Sequence, residues 1–325
     1  MKKINECLGL IENEIKNINI LERDPSELYD PIKYILSLGG KRIRPLLSLM
    51  ACNLFKDDIQ SSIKPAIALE IFHNFTLLHD DIMDNAPLRR NKQTVHEKWN
   101  SNIAILSGDA MQILAYQLLC NCDPTLLKPL LDIFNSTALE VCEGQQYDMN
   151  YSTQQSVSMQ EYMKMIELKT SVLIAASIKV GAICGGAPIQ DAAKLYEFGR
   201  HLGLAFQIQD DFLDAYARQA TFGKTIGGDI VENKKTYLLL KAFELAKDKN
   251  LEILLLAVDN KITDNTEKIE MVKSVYENLK IKELTLTAIN EHAKKAYSYL
   301  LGVNVSIERK QLLLDLSTDI MSRKK

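Results

Sequence analysis

The chain has 325 residues, a net charge of −3, and a composition that is 46% hydrophobic and 25% charged. That composition can build a substantial core and carries no overall basic field, so it argues against a nucleic-acid partner and makes any anion site a local one. Six cysteines, at 7, 52, 120, 122, 142 and 184, include no CxxC pair and follow no secretory leader, which predicts reduced thiols and a cytoplasmic protein.

The first stretch, "MKKINECLGLIENEIKNINIL", reads as an amphipathic helix, because its charges interrupt the apolar run a signal peptide needs. Helical spacing then recurs at Leu46, Met50 and Leu54; at Ile67, Ile71, Phe72 and Phe75; at Ile113, Tyr116, Leu118 and Leu119; and at Met163, Ile166, Leu173 and Ile174. Breakers group at Gly39-Gly40, near Pro124 and Pro129, at Gly185-Gly186 with Pro188, and at Gly223 with Gly227-Gly228. Those intervals predict an all-α bundle of about ten to twelve helices, each roughly 15 to 30 residues long. With no solenoid period and no long polar linker, the expectation is a single domain over residues 1–325. No uncharged apolar stretch reaches the roughly 20 residues of a membrane span. The longest candidate, "SVLIAASIKVGAICGGA", is interrupted by Lys179 and reads as a buried core helix.

Two acidic motifs stand out against this background. "LLHDDIMD" places Asp80, Asp81 and Asp84 after an apolar helix, and "QIQDDFLD" repeats the spacing with Asp210, Asp211 and Asp214. The first and last aspartates of each motif are i and i+4, one turn apart on one helical face, where like charges repel unless a cation lies between them. Hard oxygen donors on bundle helices suit Mg²⁺, which keeps several waters and completes its shell with phosphate oxygens, so the expected ligand is a diphosphate. Basic residues lie nearby in sequence: Lys41, Arg42 and Arg44 in "LGGKRIRPLL", Arg89 and Arg90 in "PLRRNK", Lys224 after "TFG", and Lys234 in "VENKKTY". Guanidinium forks bind phosphate bidentately and lysine adds a point charge. Lys169 sits in the apolar context "IELKTSVLIAA", where a lysine is costly unless an anion or carboxylate pairs with it or its stem snorkels.

The pieces "GGKRIRP", "LLHDDIMD", "LRR", "LKT", "FQIQDDFLD", "GKTIGGD" and "NKK", in that order over residues 39 to 235, closely resemble the trans-isoprenyl diphosphate synthases, the polyprenyl synthetase family that includes farnesyl and geranylgeranyl diphosphate synthases. The resemblance implies an all-α fold around a central cavity, usually homodimeric, with the acidic motifs facing each other. It implies that Asp80, Asp84 and Asp210 bind Mg²⁺ on an allylic diphosphate, supported by Asp81, Asp211 and Asp214. Arg89, Lys169, Lys224 and Lys234 would hold that diphosphate, and Lys41, Arg44, His73 and Arg90 would hold isopentenyl diphosphate. Thr170 and Gln207 would place oxygen dipoles near the developing allylic cation; His79 and His96 would pack or support.

Asn91 and Gln93 stand where the family pattern leads one to expect glycine and proline, and "DAYARQATFGK" is an unusual linker, which puts loop conformation in question. In the family, residues four and five positions before the first acidic motif limit the cavity floor; here these are Thr76 and Phe75, one small and one aromatic, which favours C15 to C20 products. The competing readings are a long-chain synthase of C30 to C40, a non-catalytic subunit of a heteromeric synthase, a terpene cyclase, and a di-iron bundle built on the ExxH pair Glu70 and His73. A second ExxH, which the last would need, is absent from the sequence.

Overall fold

A computed structural model describes residues 3–18, 23–216 and 227–322. In chain order its helices are α1 (Ile4–Lys16), α2 (Ser26–Ser37), α3 (Ile43–Asn53) and α4 (Gln60–Met83), followed by a hairpin of β1 (Leu88–Arg89) and β2 (Lys92–Gln93). Next come α5 (Val95–Lys98), α6 (Ser101–Cys120), α7 (Pro124–Thr153), α8 (Met159–Ile166), a π-turn (Glu167–Ser171), α9 (Val172–Cys184) and α10 (Ile189–Tyr216). The last are α11 (Gly228–Val231), α12 (Tyr237–Leu245), α13 (Asp248–Val258), α14 (Asn265–Asn278), α15 (Ile281–Leu301) and α16 (Ile307–Ser322). The fold is all-α, as the apolar periodicity leads one to expect.

The helices outnumber the ten to twelve expected in part because the single-turn α5 and α11 leave no periodic signature. Pro129, read as a breaker, lies inside α7, and α2 and α4 likewise carry Pro31 and Pro65. All three prolines occupy the sixth position of their helix, just past the first turn, so each omits a single ladder bond near the N-terminal end.

The chain divides into two compact units. One comprises Met1–Ala138, Leu173–Tyr196 and Leu300–Leu314; the other comprises Leu139–Val172, Glu197–Tyr299 and Asp315–Lys325. In the first, α4 is buried on nearly every side and packs along α3 and α6. Gly108 makes the α4–α6 approach possible: the His79 imidazole occupies the place a Cβ would take, and its Nε2 lies 3.2 Å from the Ile105 carbonyl. His79 therefore packs, as expected. α6, and not the stretch at 171–187, is the described helix long and apolar enough to cross a membrane; it contains Asp109 and leaves Ile105, Leu106 and Ile113 exposed.

In the second unit one cluster gathers Tyr162, Ile166, Leu204, Ile208, Leu240 and Ile289, and another Leu238, Leu254, Val272, Tyr276 and Ile281. Two glycines bring backbones close around the π-turn. A Cβ at Gly144 would strike the Lys169 backbone, and one at Gly203 would lie 2.6 Å from the Ser171 Cα.

Candidate active site

In the first unit the acidic motif closes α4, with Asp84 as its C-cap. The C-terminal end of a helix carries partial negative charge, so three carboxylates there oppose both one another and the helix dipole. Asp81 is relieved by a bidentate ion pair: Arg89 donates Nε–H to its Oδ2 and Nη2–H to its Oδ1, both at 2.7 Å. Burial raises the Asp81 pKa against the pull of Arg89. Asp80 is half-buried and Asp84 exposed.

The hairpin that carries Arg89 turns on Arg90 and Asn91, both in the left-handed region with φ of 53° and 60°. Two consecutive residues with positive φ make the type I′ geometry of a two-residue hairpin, which asparagine tolerates well. The Arg90 guanidinium lies against Gly40, with Nη2 2.9 Å from where a Cβ would stand. "GGKRIRP" and "PLRRNK" are thus brought together. In the first of these segments Lys41 is exposed, while Arg42, with φ 47°, turns inward and pairs with Glu70 and Glu12.

Arg44 donates Nη1–H to His73 Nε2 at 3.0 Å, which puts the imidazole proton on Nδ1. Burial first, then Arg44, Arg90, Arg89 and Arg42, push the His73 pKa well below its ordinary value, so the ring is neutral. Burial lowers Arg44 to about 10 and lowers Arg90 as well. Arg42 and Arg89 have carboxylate partners; Arg44 and Arg90 form no ion pair with a carboxylate among the described residues. Two guanidiniums beside a neutral imidazole make a cluster of net positive charge that favours an anion. The ExxH pair is divided between separate partners, Glu70 to Arg42 and His73 to Arg44.

In the second unit the acidic motif lies in the last two turns of α10. Asp210 is exposed. Asp211 is buried and accepts from Tyr162 Oη–H at 2.6 Å, from the Tyr237 amide at 3.1 Å and from Gln207 Nε2–H at 3.2 Å. Burial, with Asp229 nearby, pushes its carboxyl up to about 7 against those donors. Asp214 accepts from the Asp229 amide at 3.0 Å. Each motif thus divides its labour: Asp81, Asp211 and Asp214 have oxygens engaged by protein donors, while Asp80, Asp84 and Asp210 are the more accessible.

The π-turn displaces Lys169 and Thr170 from the regular α register, a distortion common at functional sites. Lys169 donates to Asp148 at 2.6 Å, which answers the question of what pairs with a lysine in that apolar run. Thr170 Oγ1–H donates to Gln207 Oε1 at 3.0 Å, so Thr170, Gln207, Asp211 and Tyr162 form one hydrogen-bonded chain. Lys234 is half-exposed, 3.8 Å from Asp229 Oδ1. Burial works to lower its pKa, but Asp229, Asp211, Asp148 and Asp210 outweigh it and hold the ammonium above its ordinary range. Lys224 and most of the "DAYARQATFGK" linker lie outside the described residues.

The family model for polyprenyl synthetase matches residues 25–279. The chain belongs to the polyprenyl synthetase family. It is 36% identical over 302 residues to the geranylgeranyl diphosphate synthase of Methanosarcina mazei, covering 92% of this chain and 90% of that one. It is 37% identical over 320 residues to a short chain isoprenyl diphosphate synthase of Methanocaldococcus jannaschii, covering 97% and 94%. A solved geranylgeranyl pyrophosphate synthase superposes with a TM-score of 0.94 at 44% identity, over 100% of both chains. The polyprenyl synthetase described here is therefore a prenyltransferase, and its substrates are isoprenoid diphosphates.

Sequence reasoning gave no role to Asp148, Asp229 or Tyr162. Asp229 lies inside the quoted "GKTIGGD", so the motif itself held the signal. Asp148 and Tyr162 left none, because their partners are 21 and 49 residues away in sequence.

Proposed function

We propose that this chain condenses isopentenyl diphosphate with an allylic prenyl diphosphate to give C15 to C20 prenyl diphosphates, acting as one functional domain over residues 1–325. The observation that carries the proposal is the pair Arg44 and Arg90, guanidiniums without carboxylate partners among the described residues, beside a neutral His73. They, with Lys41, would bind the diphosphate of isopentenyl diphosphate. Arg89, Lys169 and Lys234, with Lys224, would bind the allylic diphosphate.

Asp80 and Asp84 in one unit, and Asp210 in the other, are hard-oxygen donors. Among the described residues no group of three or more His, Cys, Asp or Glu side chains comes together as a metal site within the protein alone. Carboxylate oxygens of this kind suit Mg²⁺, which completes its shell with water and substrate phosphate. When bound, Mg²⁺ would supply charge stabilisation to the departing diphosphate. The chain's cations add to that stabilisation as the allylic carbon–oxygen bond ionises, in the manner of preorganised electrostatic catalysis. Thr170 and Gln207 place oxygen dipoles by the cation while the homoallylic double bond attacks it. Asp211, braced by Tyr162 and the Tyr237 amide, keeps the end of α10 in place. A proton is then lost from the new adduct, and the departing diphosphate is a competent acceptor.

Phe75 supports the short-chain reading. Its ring packs on His79 and Phe72 at centroid distances of 4.8 and 5.5 Å, and Phe72 is backed by Phe134 at 5.2 Å. Thr76 satisfies its hydroxyl on the His73 carbonyl at 2.8 Å and adds little bulk. Incubating purified protein with Mg²⁺, isopentenyl diphosphate and each allylic diphosphate should yield C15 to C20 products, and Phe75→Ala should shift them longer by one or more C5 units. No condensation with any primer would reject the synthase reading. Products of C30 to C40 from the unaltered chain would favour the long-chain alternative, and an unchanged distribution in Phe75→Ala would remove Phe75 from the floor.

The homodimer reading draws support from the exposed side chains of α6, where Ile105 and Leu106 stand two turns from Ile113 with Asp109 on the turn between. The same apolar side chains account for the helix's high hydropathy without a membrane span. Sedimentation equilibrium should give twice the chain mass, and Ile113→Asp should move it toward the monomer. A monomer at micromolar concentration in the unaltered protein would reject the dimer. The six free thiols support a cytoplasmic location.

A further inference from the structure

α11 has four residues and buries only Ile230, too little apolar surface to hold itself in place. Yet it and the turn after it carry Asp229 and Lys234. At its start, the Gly227 and Asp229 amides donate to the Asp214 carbonyl and Oδ2 at 2.9 and 3.0 Å. Its other end is held from α14. Lys268 donates Nζ–H to the Val231 carbonyl at 3.0 Å and to Asn260 Oδ1 at 3.2 Å. Asn233, in the left-handed region at φ 57°, donates Nδ2–H to the same Asn260 oxygen at 2.8 Å and to the Val258 carbonyl at 3.2 Å. The neighbouring Ile269 packs against Gly227, so α14 touches both ends of the short helix.

Lys268 is 2% exposed and has no carboxylate ion pair among the described residues. Burying an ammonium against neutral oxygens is unfavourable compared with filling the same space with an apolar side chain. What the ammonium adds is direction: donors aimed at a helix-terminal carbonyl, where a cation is favoured, and at the amide that holds Asn233. Asn233 immediately precedes Lys234 in the chain.

We propose that Lys268 is a positioning residue for the allylic-diphosphate site, clamping α11 and the following turn so that Lys234 is presented to the substrate diphosphate beside Asp229. The inference rests on the reading of Lys234 given above. Lys268 itself touches no substrate.

The test uses the full chain and steady-state kinetics with each substrate varied in turn, at a temperature where circular dichroism shows every variant folded. Lys268→Met should raise KM for the allylic diphosphate about tenfold, the scale of a displacement of a fraction of an ångström, and leave KM for isopentenyl diphosphate unchanged. Lys268→Arg, which keeps the donors, should recover most of the loss. Asn260→Ala should move the same constant in the same direction, and it decides the question if Lys268→Met does not fold. A lower melting temperature with both KM values unchanged, or an equal rise in both, would overturn the proposal. Lys234→Ala separates the two readings. If it leaves the allylic KM unchanged, the role of Lys234 fails; if it raises that KM while Lys268→Met and Asn260→Ala do not, only the role of Lys268 fails.

Discussion

Replacing Asp80 and Asp84 together by alanine should lower kcat by about a thousandfold or more while leaving the fold at least as stable. Charge stabilisation by a bound metal is worth several kcal/mol, and about 4 kcal/mol corresponds to a thousandfold. The stability side follows from the position of these residues at the end of α4. Two carboxylates at i and i+4 repel by a few tenths of a kcal/mol, and the helix dipole opposes both. Their removal relieves that repulsion and leaves the Asp81–Arg89 pair intact. Single-turnover kinetics beside a thermal melt would check both halves. Full activity in the double variant would refute the metal assignment, and a melting temperature lowered by many degrees would refute the division of labour between Asp81 and its neighbours.

Arg42→Ala should act in the opposite way, through stability. Arg42 and Glu70 are each 3% exposed and are joined at 2.9 Å. The same guanidinium donates to Glu12 and to the Leu36 carbonyl, both at 2.9 Å, so one side chain ties the start of α3 to α1, α2 and α4. Burial alone would lower its pKa, but Glu70 and Glu12 outweigh it and raise it. Removing the arginine leaves a buried carboxylate with an amide from Asn74 at 3.2 Å in place of its counter-charge. Breaking such a pair costs about 3–5 kcal/mol, whereas replacing both partners by apolar residues is far milder. Chemical denaturation should show that loss in Arg42→Ala and a smaller one in Arg42→Met with Glu70→Leu. A loss below about 1 kcal/mol in Arg42→Ala would place the pair among weak surface bridges.

Arg42 also marks the boundary of what sequence can tell. "GGKRIRP" offers three cations in four positions, and their shared charge gives no hint that the middle one faces Glu70 and the outer two do not. That orientation is set by a left-handed residue ahead of α3. The long helices and both acidic motifs were legible because a 3.6-residue period and an i, i+4 spacing are local patterns. The hairpin was not, since Arg90-Asn91 lacks the glycine that advertises a type I′ turn. The π-turn was equally hidden, because one extra residue in a helical turn alters register without altering composition. The Asp148–Lys169 and Tyr162–Asp211 partnerships depend on tertiary packing alone. The lysine's apolar setting signalled that some partner was required, and only the fold supplied which.

The contact of Arg90 with Gly40 has a consequence for how such a sequence can drift. The guanidinium occupies the volume that any side chain at residue 40 would claim, and Gly40 itself has φ 143°. A side chain at 40 would have to push that guanidinium aside as well as adopt the strained φ. Shortening Arg90 would free that space, but a larger residue at 40 would still meet the backbone strain of its φ. Two positions separated by fifty residues of chain therefore share one small volume, and a change at 40 is felt at Arg90.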